Sequence, residues 1–266
     1  MKWIVGVIAV LLFLIVAFFA FNNYIYNQKQ KGGIMENPSQ TVEKSSLIDV
    51  TPISHATMVL KMGGQVIYTD PVGGAQIFAG EEAPTLILVT DIHSDHMDPT
   101  TLKDISKEDT TIVVPQAVAD QLPKDIPGNM VVMKNGDNIT EKGIGLEAIP
   151  MYNLPESPTA FHTKGRGNGY VISADDKRVY VAGDTDDIPE MRALKNIDVA
   201  FIPMNPPYTM DIERAASAVV AFKPKVVHPY HYRTPNGFSD VNKFKELVNA
   251  ADPSIKVELL NFYPSR

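Results

Sequence analysis

Cysteine is absent from the 266-residue chain. That removes thiolate zinc sites, a cysteine nucleophile and any disulfide framework. It is compatible with export without demonstrating it. Positive charge is also short: 24 Lys and Arg against 31 Asp and Glu leave a net charge of −7. A general nucleic-acid binder is therefore not expected. No internal repeat of fixed short period recurs along the chain.

Residues 4–21 lack charge altogether and follow Lys2. At a rise of ~1.5 Å per residue such a run is just long enough to cross a bilayer core. Ala20 follows Phe18-Phe19, a poor cleavage signal. Residues 1–21 are thus expected to be a retained transmembrane helix rather than a cleaved signal. Lys2 on one side and Lys29 and Lys31 on the other leave the orientation weakly specified; the expectation is a membrane-anchored protein with its main domain outside the cytoplasm. Residues 22–46 are polar and read as a flexible tether. Roughly 220 residues remain for one large domain or two fused halves, spanning 47–266.

What is present in that domain is a sequence of short apolar runs. Strands are expected at 47–50, 57–60, 66–68, 86–89, 111–114, 130–133, 145–150, 169–172, 178–182, 199–202, 225–227 and 257–260. Gly63-Gly64 and Asp175-Asp176 predict tight hairpin turns, and Asn135-Gly136 a further turn. Helices are expected over 99–105, 117–121, 189–194, 212–222 and 241–250, with Asp98-Pro99 and Asp211 as start signals. The order suggests two strand-rich halves, each ending in helices.

One stretch dominates the chemistry. Thr90-Asp91-Ile92-His93-Ser94-Asp95-His96 crowds two carboxylates and two imidazoles after the run 86–89 and before a helix. Buried groups at that density repel or desolvate one another unless a cation binds them. Asp91 and His93 share one side of an extended segment, whereas Asp95 and His96 diverge and can serve a second ion. A capping loop with incidental histidines is the plain alternative.

The remaining histidines sharpen the choice. His55, His93, His96, His162, His228 and His231 all fall in expected loops or strand ends, and Asp184 follows Gly183 at another strand end. Ligands gather where strands end at one rim of a sheet. The candidate metal set is therefore Asp91, His93, Asp95, His96, His162, Asp184 and His231. Imidazole with carboxylate and no thiolate suits zinc, iron or manganese. Seven ligands exceed one tetrahedral ion, so two ions sharing a carboxylate are expected. His55 reads either as a turn histidine or a site residue, and Asp70 as a turn-capping carboxylate or a site acid. The irregular stretch 151–168 carries Tyr152, Asn153, His162, Lys164 and Arg166, and long loops tend to be functional.

These motifs resemble the metallo-β-lactamase superfamily. Its T-H-x-H-x-D-H signature stands as Thr90-Asp91-Ile92-His93-Ser94-Asp95-His96, its H-T-x-G segment as His162-Thr163-Lys164-Gly165, and its G-D-T turn as Gly183-Asp184-Thr185. The final histidine is His231, the early aspartate Asp70, and an H-A-[ST] segment is His55-Ala56-Thr57. The chain is most similar to the branch holding L-ascorbate-6-phosphate lactonase-like proteins and N-acylphosphatidylethanolamine phospholipase D. The resemblance implies an α/β four-layer αββα sandwich following the N-terminal helix. By the same resemblance Asp91, His93 and His162 hold a first ion, Asp95, His96 and His231 a second, and Asp184 bridges. Asp91 departs from the signature, which has histidine there. A third carboxylate lowers the site's net positive charge and predicts a less acidic bound water and a tilt toward manganese or iron over zinc. A rival outcome keeps Asp91 behind the ligands, with one site filling tightly.

The function implied is hydrolysis of an ester, lactone or phosphodiester by a metal-bridged hydroxide, with Asp184 as the bridge and Asp95 helping to move the proton. The substrate is a small molecule or a lipid-derived compound near the membrane. Lys164 and Arg166 are candidate partners for an anionic substrate; Tyr152, Asn153, Tyr208 and Tyr232 are candidate pocket walls, with His55 beside substrate or ligands and His228 structural. The alternative is a non-catalytic, membrane-tethered metal-binding or sensor domain. Redox chemistry at a di-iron site ranks last, because no flavin domain is present.

Overall fold

The computed structural model describes residues 48–264, and the expected membrane helix (1–21) and tether (22–46) lie outside them. Among the described residues no helix is long and apolar enough to cross a membrane.

Two mixed sheets carry the domain. The first runs β1 (Asp49–Ser54), β2 (Thr57–Met62), β3 (Gln65–Thr69), β4 (Leu86–Leu88), β5 (Thr111–Val114) and β6 (Asn129–Val132), in that spatial order. Helices α1 (Pro99–Ile105) and α2 (Gln116–Ala119) connect its later strands. The second sheet comprises β7 (Asn138–Glu141), β8 (Ile144–Met151), β9 (Gly167–Ala174), β10 (Lys177–Val181), β11 (Val199–Pro203), β12 (Val226–Tyr230) and β15 (Lys256–Val257). Its spatial order is β15-β12-β11-β10-β9-β8-β7. Between these lie α3 (Pro189–Arg192), α4 (Ile212–Phe222), a ribbon of β13 (Arg233–Thr234) and β14 (Gly237–Phe238), and α5 (Val241–Ala251).

Strand alternation builds the layers. Met58, Leu60, Leu86, Leu88 and Val113 point one way from the first sheet and meet Leu146, Tyr170, Ile172, Val179, Val181 and Phe201 of the second. Their neighbours Val59, Ile87, Ile112 and Val114 point the other way, onto Leu102 and Val118 of α1 and α2. On the far face of the second sheet, Tyr180, Ala200 and Ile202 pack against Ala215, Val219, Phe244 and Val248 of α4 and α5. Central strands are thus buried on both faces, which explains why they read as continuous apolar runs. Each such large apolar side chain contributes about 1.5–3 kcal/mol by leaving water. The expected αββα sandwich is what forms.

Local signals act as read from the sequence. Gly63-Gly64 and Asp175-Asp176 all take positive φ and close the two hairpins. Asp98 and Asp211 cap their helices by accepting the amides of Thr100 and Arg214. Three expectations need correction. Strand β7 was not foreseen: its polar run Asn-Ile-Thr-Glu is an edge strand of β8 with only one apolar residue. The last strand is two residues long rather than four, because only Lys256 and Val257 hold register with β12. His228 sits in the middle of β12, not at its end, where it stacks on Phe201 at 5.1 Å and its Nδ1 meets the Glu258 carbonyl at 3.0 Å. It is structural, as expected, but on a strand.

The parallel stretches β3-β4-β5-β6 and β10-β11-β12-β15 place their carboxyl ends on one rim. The segments leaving β3, β4, β10 and β12 carry Asp70, the 90–96 motif, Asp184 and His231.

Candidate metal centre

Three of the candidate ligands, His96, His162 and His231, have a residue set behind the ring. His96 is fully buried, and its Nδ1 lies 2.8 Å from Asp70 Oδ2. Asp70 also accepts the Thr90 amide and hydroxyl, both at 2.7 Å. This keeps a hydrogen on His96 Nδ1 and turns Nε2 toward the rim, where it offers a lone pair once the ring is neutral. Asn153 Oδ1 accepts the His162 amide at 2.9 Å and lies 3.2 Å from His162 Nδ1, so His162 is oriented in the same way. The Asn205 amide stands 3.3 Å from His231 Nδ1. It is the Asn205 Nδ2 that faces the ring, while Oδ1 has no partner; exchanging the two amide atoms would let Oδ1 accept the Nδ1 hydrogen and free Nε2. Gly183 receives no side chain of its own, but its N–H donates to Tyr230 Oη at 2.9 Å, which steadies the turn into Asp184.

Strain marks the same place. His55, Asp70 and His231 all have positive φ, a left-handed backbone that is costly outside glycine and concentrates at functional sites. A bulge in β1 between Pro52 and Ser54 precedes the His55 turn, and the His55 carbonyl accepts the His231 amide.

The front atoms then converge. His96 Nε2 and His162 Nε2 are each 3.2 Å from Asp184 Oδ2, and His231 Nε2 is 3.4 Å from Asp184 Oδ1 and from Asp95 Oδ2. A tetrahedral ion with bonds of about 2.1 Å spaces its ligands about 3.4 Å apart. Yet His96 Nε2, His162 Nε2, His231 Nε2 and Asp184 Oδ1 are buried without a hydrogen-bond partner. Four buried polar atoms aimed at one another, without the direction a hydrogen bond requires, are the arrangement a cation resolves. Two ligand groups lie side by side here: His96, Asp184 and His231, and next to them Asp91, His93 and His162, linked by the 3.2 Å approach of His162 Nε2 to Asp184 Oδ2. A third, His55, Asp95 and His231, shares His231 with the first. The residues present fit a divalent metal.

Electrostatics agree with this. Burial alone would raise the carboxyl of Asp184, but the His231 and His96 rings hold it well below the usual range. Burial likewise opposes charge on His96, but Asp184 and Asp70 raise it well above the ordinary histidine value. In the absence of metal a proton therefore takes the cation's place on His96. Burial also acts against ionised Asp91, while His93 and Arg166 bring its carboxyl down to about 2.

A family profile described as Beta-lactamase superfamily domain matches residues 49–231. The chain belongs to the metallo-β-lactamase superfamily. Within it, a UPF0173 metal-dependent hydrolase of Pyrococcus abyssi is 30% identical over 213 residues, covering 76% of this chain and 92% of the relative. A second UPF0173 metal-dependent hydrolase, from Symbiobacterium thermophilum, is 32% identical over 192 residues, covering 68% of this chain and 81% of its own length. A crystal structure of a Parabacteroides distasonis protein, itself named as a metal-dependent hydrolase, superposes with a TM-score of 0.70 at 37% identity, covering 80% of this chain and 92% of that one.

For this superfamily chain the seven expected ligands all meet at one rim. Asp91 is fully buried and forked by Arg166, with Nε to Oδ1 at 2.9 Å and Nη2 to Oδ2 at 2.8 Å. Lys164 pairs with Glu190 and Glu156 and lies over the Tyr152 ring. Both cations expected to meet an anionic substrate are thus answered from within the protein. Tyr208 lines the cavity at the centre, as expected, together with His93, Ser94, Asp95, Phe161, His162, Asp184 and Asn205. Tyr152 and Tyr232 are not among these lining side chains: Tyr152 is buried and donates to Glu190, and Tyr232 packs on Tyr263 and Phe238. Asn153 orients His162 rather than forming a wall. His55 bonds Asp95 through Nε2 at 3.2 Å, with Tyr263 Oη at 2.6 Å from its Nδ1.

Sequence reading missed Asn205, Tyr263, Tyr230 and Phe161. Asn205 and Phe161 are single residues in loops without a pattern around them. Tyr263 lies past the last expected strand, and Tyr230 read only as part of the Pro-Tyr-His-Tyr segment. The support behind His96 gives a direct test. Asp70→Asn should lower divalent-metal affinity about 10–100-fold, measured by competition with a chromogenic chelator. Affinity equal to wild type would show that Asp70 does not orient His96.

Proposed function

We propose that this protein is a metal-dependent hydrolase acting on a lactone or carboxylic ester, with a phosphodiester as the second substrate class. The observation that carries this is the set of unpartnered buried atoms of His96, His162, His231 and Asp184 beside an open cavity. The names of the relatives and the resemblance to lactonase-like and phospholipase D-like proteins support the same reaction class.

Bound divalent ions would polarise the substrate's electrophilic oxygen and acidify a water at the rim. The chain supplies the rest. Asp184 lies among three histidines and holds the cluster's centre. Asp95 is half-exposed at the cavity, and its carboxylate is kept ionised: burial pushes its pKa up, but His231 and His55 draw it well down. It is placed to orient the attacking water and to accept its proton on Oδ1 while His55 holds Oδ2. Burial lowers the pKa of His55, so that ring is neutral near pH 7 and donates from Nε2 to Asp95, accepting from Tyr263 at Nδ1.

The cavity measures about 310 Å³, room for a compact substrate. Phe161 is more than half exposed and meets Tyr208 edge to face at 4.9 Å, making an aromatic wall beside the charged floor. An apolar acyl or ring group fits that wall. Because Lys164 and Arg166 are already paired, no cation of that loop is left to recognise an anionic group. This favours a neutral carbonyl over a phosphodiester.

Assay of the full-length protein loaded with zinc or manganese against lactone, ester and phosphodiester panels tests the reading. Lactone or ester turnover that disappears in Asp95→Asn is expected. Stoichiometric metal uptake with silence on every panel would instead identify a binding module.

A further inference from the structure

Asp91 is the position at which this chain leaves its superfamily's signature, and Arg166 is the residue that answers it. The contact is built into the fold. Asn168 donates its amide to the Thr90 carbonyl at 3.0 Å, so the start of β9 is bonded to the residue preceding Asp91. Gly167 permits that approach: a Cβ there would lie 2.7 Å from the Thr90 oxygen. Arg166, next in line, projects its guanidinium onto both Asp91 oxygens. The same short turn carries His162, closed by the Arg166 amide on the Thr163 carbonyl at 3.2 Å. One segment therefore delivers both a ligand and a compensating charge.

Asp91 nevertheless faces the centre. Its Oδ2 lies 2.9 Å from His93 Nδ1 and 3.9 Å from His162 Nε2, within one ligand group. A carboxylate oxygen has two lone pairs, so Oδ2 can serve Arg166 and an ion together. We infer that Asp91 and Arg166 act as one neutral unit in the place of a signature histidine, so that the Asp91–His93–His162 set holds its ion at the net charge three imidazoles would give. Arg166 is then a charge-setting residue and does not bind substrate. This corrects the expectation drawn from the third carboxylate alone: the extra negative charge is cancelled at its source, and the tilt toward manganese or iron loses its cause. The inference rests on the metal reading above and goes beyond it in assigning Arg166.

A paired group makes its partners interdependent, so a double-mutant cycle is the test. Full-length wild type, Asp91→His, Arg166→Met and the double variant are compared by elemental analysis after gel filtration and by stepwise zinc titration against a chelator. Asp91→His alone leaves an unanswered guanidinium beside an incoming dication. It should weaken one of the two zinc steps by about 100-fold or more. Arg166→Met alone should bind that zinc at least as tightly as wild type. The double variant should return to within about tenfold of wild type. Recovery on removing a second residue is not produced by simple loss of structure, and thermal melts of each variant check folding. Asp91→His binding both ions at wild-type strength would overturn the inference, as would a double variant no better than Asp91→His. Failure of wild type to take up any zinc would contradict the hydrolase reading itself.

Discussion

Asp184→Ala should be inactive at any metal concentration that saturates the native protein. The carboxylate meets His96, His162 and His231 at 3.2, 3.2 and 3.4 Å, whereas Asp95 comes that close only to His231 of these rings. Its loss removes the one carboxylate within 3.4 Å of all three rings and leaves three buried imidazoles facing one another. A fall in kcat/KM on the order of 10⁴-fold is expected, ~5 kcal/mol of transition-state stabilisation. Asp184→Asn keeps the shape but not the charge and should be nearly as poor. His231→Ala, which spares Asp184, should also abolish turnover. Steady-state kinetics with the metal content of each variant measured alongside checks this. Activity within tenfold of wild type in Asp184→Ala would remove that residue from the reaction.

The second large effect is on stability, and its sign follows from His96. Burial disfavours the charged ring, yet Asp184 and Asp70 hold its folded pKa well above the ordinary value of 6.5. A raised pKa means that the stabilisation from this charge is complete below pH 6.5 and disappears as pH rises through the folded value. Metal-free protein should therefore lose stability toward alkaline pH. Metal binding runs the other way, because it needs the Nε2 lone pair that the proton occupies. At free metal about 1,000 times the dissociation constant, binding adds about 4 kcal/mol, or roughly 10 °C in Tm for a domain of this size. The Tm gap between loaded and chelated protein should widen from about pH 6 to about pH 9. Calorimetry in both states measures it; a gap that is constant or that narrows would contradict the arrangement of His96, Asp184 and Asp70.

Much of the site could be read from the chain because its ligands cluster at strand ends, where apolar runs stop abruptly at acids and histidines. The 86–89 run before the motif and the 178–182 run before Gly183-Asp184 are of this kind. The apolar runs marked strands buried on both faces, a feature of many α/β folds; the αββα sandwich itself was legible only through the resemblance that the motifs carry. Strand β7 was not legible, because an edge strand carries little apolar pattern. His228 shows the limit of position as a clue, since a histidine satisfied by a carbonyl and stacked on Phe201 sits comfortably inside a strand. The roles of Lys164 and Arg166 depend on side chains distant in sequence. Arg166 reaches Asp91 across 75 residues, and nothing local to either announces the pair. Asn205 and Tyr263 were missed for the same reason: each acts by touching a histidine that folding brings to it.

Diffraction at the zinc absorption edge from crystals of the zinc-loaded protein addresses the central claim most directly. An anomalous peak bonded at about 2.0–2.2 Å to the Asp184 carboxylate and to Nε2 of His96 and His231 is the predicted result. Anomalous density confined to other parts of the surface, with those three side chains left uncoordinated, would contradict it.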